Sequence, residues 1–465
     1  MFRAISIPRW SGLQHLVTRM FARGKAPKNT WSTEKRQRMA YLVVVIALSL
    51  CSSWYVIANL DVYSGIHVRS RLGTIWSLVH KQSFTMDESC FRSIDSFEFD
   101  GHIYSSKPIV YPFFGAIVYG AFHTITGMDM CYSTQERHRA VWVINFFLGY
   151  IPHMVLLLYF FFLLRQFLRL YVVKSVTFAG VALGYVGVIY ATGNNRHSVG
   201  AMLLTAIFFH FVRIWKGGER AIDWLVIGLL LGLLPVIDPP SLVFSVLFLC
   251  LLVWANYKKA LLFFLPLAVI PILLHCVLMW SAFGMITPAT YVLAHKVETV
   301  TQMTDRIWRY IHKGMERNLL YAFHMTFGNQ GIFIATPLLL PGLYQATRSA
   351  MALSWKFREM CARILMIGSI IPFLFYLFYT HDYSGVALVI RWLIPMMPMF
   401  ILFAGVWLEK HFKPIPIIIF LTLLFIGHYH LYQYDTAWEY PKWRDSSWVQ
   451  YCEGKIRAFG EFWDG

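Results

Sequence analysis

The sequence predicts an all-α, polytopic membrane protein with about eleven transmembrane helices and a long external first loop that contains juxtamembrane helices. Three observations lead there. Of 465 residues, 57% are hydrophobic and only 14% charged, whereas a soluble domain carries about 25% charged residues. The mean hydropathy is +0.53. The net charge of +17 is spread over short loops between apolar runs, which is the pattern of the positive-inside rule rather than of nucleic-acid binding.

The first 39 residues hold Arg3, Arg9, Arg19, Arg23, Lys25, Lys28, Lys35, Arg36 and Arg38 against one acid, Glu34. They read as a basic cytoplasmic tail, residues 1–39, that orients the first span. No apolar core precedes a small-residue cleavage site, as a signal peptide would need. The membrane domain is expected over 40–431, with external loops 61–107 and 281–327 and an external tail, 432–465. The first span, 40–60, is long enough to cross about 30 Å of hydrocarbon and delivers Asp61 to the outside.

Within 61–107, Leu72, Ile75, Trp76 and Val79 recur at helical spacing and predict an amphipathic helix at the membrane surface. The next apolar run, 108–127, is short and carries Pro112 and Gly115. If it crossed the membrane, every later basic loop would fall outside, so it reads as juxtamembrane. The remaining spans then follow at 139–164, 175–192, 198–215, 221–237, 241–255, 260–280, 328–344, 364–379, 386–408 and 414–431. This parity puts the strongly polar motifs on one side. Cys90, Cys131 and Cys452 lie in polar segments on that side, where a disulfide among them is open. No cysteine or histidine cluster has metal-ligand spacing, so no cofactor is expected and a divalent metal is not indicated.

Several groups could carry chemistry at that surface. Asp61 follows a span directly and is a candidate general base; Asp95 and Asp100 are rivals in the same loop. Lys107 and Arg391 are candidate anion ligands, since an arginine at a span end must snorkel or meet an anion, and its fork suits two phosphate oxygens. Tyr104 belongs to the same turn-forming stretch as Lys107. Arg196 and His197 follow Asn194 and Asn195 at another outer boundary and suit a sugar or phosphate. Asp238 before Pro239 and Pro240 reads as a helix break, which the prolines alone explain.

At these residues the chain resembles the GT-C superfamily of polytopic glycosyltransferases, in particular the branch with the protein O-mannosyltransferases and the aminoarabinose transferases, as a bacterial member of unknown specificity. The resemblance rests on Asp61, the run Gly101-His102-Ile103-Tyr104-Ser105-Ser106-Lys107-Pro108 and Asn195-Arg196-His197. Gly328-Asn329-Gln330-Gly331-Ile332-Phe333 and Tyr383-Ser384-Gly385 with Arg391-Trp392-Leu393-Ile394-Pro395 extend it. It implies transfer of a sugar from a polyprenyl-phosphate carrier to an acceptor lipid, glycan or protein by one inverting displacement. Asp61 would be the base, and Lys107 and Arg391 would hold the leaving phosphate. The implied partners are the lipid-linked donor, membrane lipids and the acceptor, with no nucleic acid. The implied place is the bacterial inner membrane with a cytoplasmic N-terminus. A transporter and a non-catalytic scaffold subunit are the competing readings. Convergence of Asp61, Lys107 and Arg391 on one pocket discriminates them from an enzyme.

Overall fold

The computed structural model describes residues 30–60, 65–218, 220–286, 314–379, 387–434 and 436–464. Asp61, the Tyr383-Ser384-Gly385 stretch and residues 287–313 of the loop expected at 281–327 lie outside them.

Among the described residues the chain is helical apart from one hairpin. Helix α1 (Thr30–Ala58) is followed by α2 (Ile66–His80), the strands β1 (Ser96–Phe99) and β2 (His102–Ser105), and α3 (Val110–Thr126). α4 (Thr134–Asn145) runs through one π turn, Phe146–Tyr150, into α5 (Ile151–Phe167). Then come α6 (Tyr171–Ala182), α7 (Arg196–Trp215), α8 (Ala221–Ile237), α9 (Leu242–Lys259) and α10 (Leu265–Phe283). The last part holds α11 (Gly314–Thr326), α12 (Leu339–Ala350), α13 (Phe357–Tyr379), α14 (Met397–Lys410), α15 (Pro414–Leu431) and α16 (Ser447–Asp464).

Among the described residues, seven stretches are long and apolar enough to cross a membrane. The chain is a multi-pass membrane protein. One stretch, Pro239–Phe283, contains two spans, because Asn256 leaves helical geometry at φ −161°, ψ 89°. The packing shows that the direction reverses there. On α8, Gly228 meets the backbone of Phe264 and Gly232 that of Ala268. Two contacts in the same order make α8 and α10 parallel, with α9 running back between them. Small residues permit that close approach, which replaces a hydrophobic drive inside lipid. The span expected at 328–344 is instead a single turn, Ile332–Ala335, then α12, with Pro337 at the break. α6 and α8 are shorter than a full span.

α2 forms as the spacing predicts, but Leu72, Ile75 and Trp76 are buried against protein, chiefly α3, rather than spread on a surface. The hairpin turns on Asp100-Gly101, with φ of 52° and 79°. That is the two-residue turn whose right-handed twist suits antiparallel strands, and Asp and Gly tolerate its positive φ. Phe97, Phe99 and Tyr104 pack on Phe283 at ring distances of 5.8, 5.5 and 4.8 Å, which seats the hairpin on the end of α10. A disulfide joins Cys90 to Cys131 and ties the first loop to the segment before α4, while Cys452 is free.

Candidate active site

The hairpin register decides where Lys107 goes. Ser96 pairs with Ser105, so Asp95 lies beside Ser106, whose amide donates to the Asp95 carbonyl at 3.4 Å. Pro108 keeps the preceding residue extended. The Lys107 ammonium thereby stands 2.6 Å from Asp95 Oδ2. Ser106 Oγ donates to the other carboxylate oxygen, and Ser70 Oγ donates to the Asp95 carbonyl at 2.7 Å.

His67, at the start of α2, connects this carboxylate to Arg391. Its Nδ1 bonds Asp95 Oδ2, and its Nε2 lies 3.0 Å from Arg391 Nη2. A guanidinium only donates, so Nε2 must accept and Nδ1 must carry the proton. The imidazole is therefore neutral with its tautomer fixed. Burial, with the nearby Arg391 and Lys107 charges, pushes its pKa down to about 3 despite the bond to Asp95. Burial alone would raise the Asp95 carboxyl, but the His67 hydrogen bond and the Lys107 charge hold it well below the usual range. Burial pulls the Lys107 ammonium down to about 7 against the opposing pull of Asp95, with Arg71 and Arg391 repelling it.

Arg391 opens the 3₁₀ turn Arg391–Met396 that leads into α14, and is buried. Its guanidinium lies 5.0 Å from the ring of Trp438, a cation–π distance. Trp438 also packs on His67 and edge-on against Tyr190. The C-terminal segment thus folds back over the site, held by the Leu388 amide donating to Ala437 at 3.3 Å and the Trp443 indole donating to Gly328 at 3.0 Å.

A second group meets the first from the start of α7. Arg71, fully buried on α2, donates to the Asn194 carbonyl and covers the Tyr111 ring at 5.7 Å. Asn195 caps α7 by accepting from the His197 amide at 2.8 Å. His197 Nδ1 lies 2.6 Å, and Arg196 Nε 4.0 Å, from Asp238 Oδ1. The His197 contact, between two buried groups, is a close pairing of ring and carboxylate. Arg71 Nε, Arg196 Nε, both side-chain amide atoms of Asn194 and Asn195 Nδ2 are buried without a hydrogen-bond partner. Buried polar atoms are almost always paired, so this cluster has donors and acceptors left for water or a ligand. Gly200 makes room here, because a Cβ on it would meet Asp238 at 3.1 Å and Pro395 at 3.2 Å.

The two groups form one electropositive centre. Burial, together with repulsion from Arg196 and Arg391, lowers the Arg71 guanidinium to about 9. Arg71, Lys107, Arg196 and Arg391 thus converge, with Asp95 and Asp238 among them. Arg196 and Arg391 begin the two most enclosed candidate spans, 72% and 83% buried, and the positive ends of those helices face the centre.

Of the residues singled out in the sequence, the structure brings Lys107, Arg391, Arg196 and His197 together. Tyr104 packs beneath them in the hairpin. Asp100 is exposed at the hairpin tip, where its role is to make the turn, so it is not part of the centre. Asp61 is outside the described residues, but the Asn145 side chain donates to the Leu60 carbonyl at 2.7 Å and fixes the chain immediately before it. Asp95 is the partner of Lys107 rather than an unencumbered acid. Asp238, read as a helix break, is fully buried inside the centre. Trp438 carried no local signal for its place in it, whereas His67 and Arg71, with Arg69, follow Asp61 as basic residues suited to an anionic head group, a pattern that does not name Asp95 or Asn194 as their partners. Among the described residues no trio of His, Cys, Asp or Glu side chains is placed to hold a metal.

No protein-family model matches the sequence, and a search of curated proteins found no match. Solved structures do match. The archaeal oligosaccharyltransferase AglB from Archaeoglobus fulgidus, in complex with an inhibitory peptide and a dolichol-phosphate, is 13% identical with a TM-score of 0.51 over 90% of this chain and 60% of its own. ArnT from Cupriavidus metallidurans bound to undecaprenyl phosphate is 13% identical with a TM-score of 0.47 over 82% of this chain and 62% of its own. The chain spans about three fifths of the length of these structures. With its helical membrane core, hairpin and first loop, the chain shares the overall fold of the AglB structure.

Proposed function

We propose that the protein transfers a sugar from a polyprenyl-phosphate carrier to an acceptor at the non-cytoplasmic face of a membrane, with the centre around Lys107 and Arg391 as its carrier-phosphate site. The observation that carries this reading is the convergence of Arg71, Lys107, Arg196 and Arg391, two of them with buried Nε atoms lacking a partner, beside the unpaired amides of Asn194 and Asn195. Such a centre suits a phosphate, whose oxygens accept from several donors at once. The solved AglB and ArnT complexes contain dolichol-phosphate and undecaprenyl phosphate, which agrees in chemical class.

In the reaction, a base takes the proton of the acceptor hydroxyl or amine as its oxygen or nitrogen bonds to the sugar's anomeric carbon. The bond from that carbon to the phosphate oxygen breaks, and the phosphate leaves with the electron pair. Charge accumulates on the phosphate, and the fixed cations stabilise it there without reorganising. Asp95 is a poor base because Lys107, His67 and Ser106 already occupy its oxygens. Its task is to orient Lys107 and, through His67, Arg391. Asp61 is our candidate base. The Cys90–Cys131 disulfide supports an oxidising side for this loop, outside the cytosol, with the basic N-terminus inside. The bacterial inner membrane fits that arrangement.

The test is binding of the purified protein to polyprenyl phosphate and polyprenyl-phosphate sugars, for the unmodified chain, Lys107→Ala and Arg391→Ala. We expect selective binding that weakens at least about tenfold in each variant, some 1.4 kcal/mol. Absence of carrier binding, or binding indifferent to both substitutions, refutes the assignment and leaves the scaffold reading.

A further inference from the structure

At the opposite end of α7, roughly 30 Å from Arg196 at 1.5 Å per residue, a groove of about 920 Å³ opens between α5 and α7. Its character changes along its length. One end is walled by Val155, Leu158 and Phe162, and Leu158 is 53% exposed on the outer surface of the helix bundle. The other end is basic, with Arg165, Arg213 and Lys216. Arg213 pairs with Asp223 at 3.2 Å. Lys216 donates to the neutral Gln166 at 2.7 Å, and among the described residues neither it nor Arg165 has a carboxylate partner. A second hollow of about 510 Å³ continues from Arg165 and Gln166 to Arg169, Lys356 and Arg358, with one acid, Glu359, on its wall.

We infer that this groove is a binding site for one anionic phospholipid, with its phosphate on Arg165 and Lys216 and an acyl chain along Leu158 and Phe162. Basic residues at the inner ends of spans arise from topology alone, but topology builds neither a concavity nor an apolar wall leading into it. The run from Val155 to Gln166 measures about 16 Å along the helix axis, close to the half-thickness of a hydrocarbon core of about 30 Å. The volume lies within the range of about 300–1,000 Å³ in which sites enclose a ligand. The helices end here with their negative poles, so the side-chain cations supply the attraction to the anion. The occupant would join α5 to α7, the helix whose other end carries Arg196, so lipid composition on one face would bear on the centre at the other. The inference is independent of the sugar-transfer reading, since it concerns a separate surface and a separate ligand.

The test is lipid binding to the purified full chain in detergent, by native mass spectrometry, with phosphatidylglycerol and phosphatidylcholine of identical acyl chains and with inorganic phosphate as competitor. We expect phosphatidylglycerol to bind at least tenfold more tightly than phosphatidylcholine. Arg165→Gln with Lys216→Gln should lower that affinity at least fivefold, whereas Lys258→Gln with Lys259→Gln, also basic but outside the groove, should leave it unchanged. Leu158→Trp, at an exposed position, should block the acyl chain and lower affinity with the charges intact. Equal binding of the two lipids, an equal loss in the Lys258 and Lys259 variant, or no effect of Leu158→Trp overturns the inference. Displacement by millimolar inorganic phosphate also overturns it, in favour of a free-anion site.

Discussion

Lys107 is the residue on which protonation acts most directly. Its folded pKa is lowered to about 7, so the ammonium is complete below that pH and is lost as pH rises through it. A carrier phosphate held as we propose needs the charged form, so affinity should fall between pH 6 and pH 8. Lys107→Arg, which stays charged across that range, should flatten the profile; isothermal titration at several pH values would read both. Asp95 acts on stability instead. Its depressed carboxyl contributes stability that is present at neutral pH and lost only as pH falls through the folded value. Asp95→Asn leaves the largely enclosed Lys107 without its counter-charge, and we expect a loss of about 3 kcal/mol in denaturant unfolding. The contrast with Asp238 shows what a sequence conceals at this scale. An acid before two prolines looks the same whether it ends a helix in water or lies buried against His197. Lys107 and Arg391 were legible because a cation at a membrane boundary is costly in any fold. The partners of His67 were not, since they lie 28 and 324 residues away.

At the scale of elements, the hairpin is the device that aims Lys107. Its Asp-Gly turn is visible in the sequence and fixes the register, and the register places Asp95 and Lys107 side by side. Replacing Gly101 by valine forces a β-branched residue to φ 79°, and we expect it to cost about 1–2 kcal/mol and to weaken carrier binding, while Gly101→Asn should be tolerated. Thermal unfolding combined with carrier titration separates the two effects. α2 shows the other limit. Its periodicity predicted the helix and its apolar face, but periodicity cannot say whether that face meets lipid or α3. The broken span at 328–344 was hidden because hydropathy averages over Pro337, while the backbone cannot.

Across the whole molecule, composition and the positive-inside pattern were enough for the membrane class, because burying some 57% apolar residues leaves few other solutions. Assembly of the centre was not legible, since it draws on the first loop, the start of α7, the end of α8, the 3₁₀ turn before α14 and the segment after α15. The disulfide is one long-range constraint open to direct test. Cys90→Ser or Cys131→Ser releases the first loop, and we expect a loss of about 2–4 kcal/mol, matched by reductant on the unmodified chain and read as a lower Tm.

Trp438 gives this architecture a temporal order. It follows Arg391 by 47 residues, and ribosomes add about 5–20 residues per second. Every helix through α13 is synthesised roughly two to ten seconds or more before the ring that covers Arg391 is even made. During biogenesis the cationic centre would stand open on one side, and the late C-terminal segment would close it as the last step of maturation.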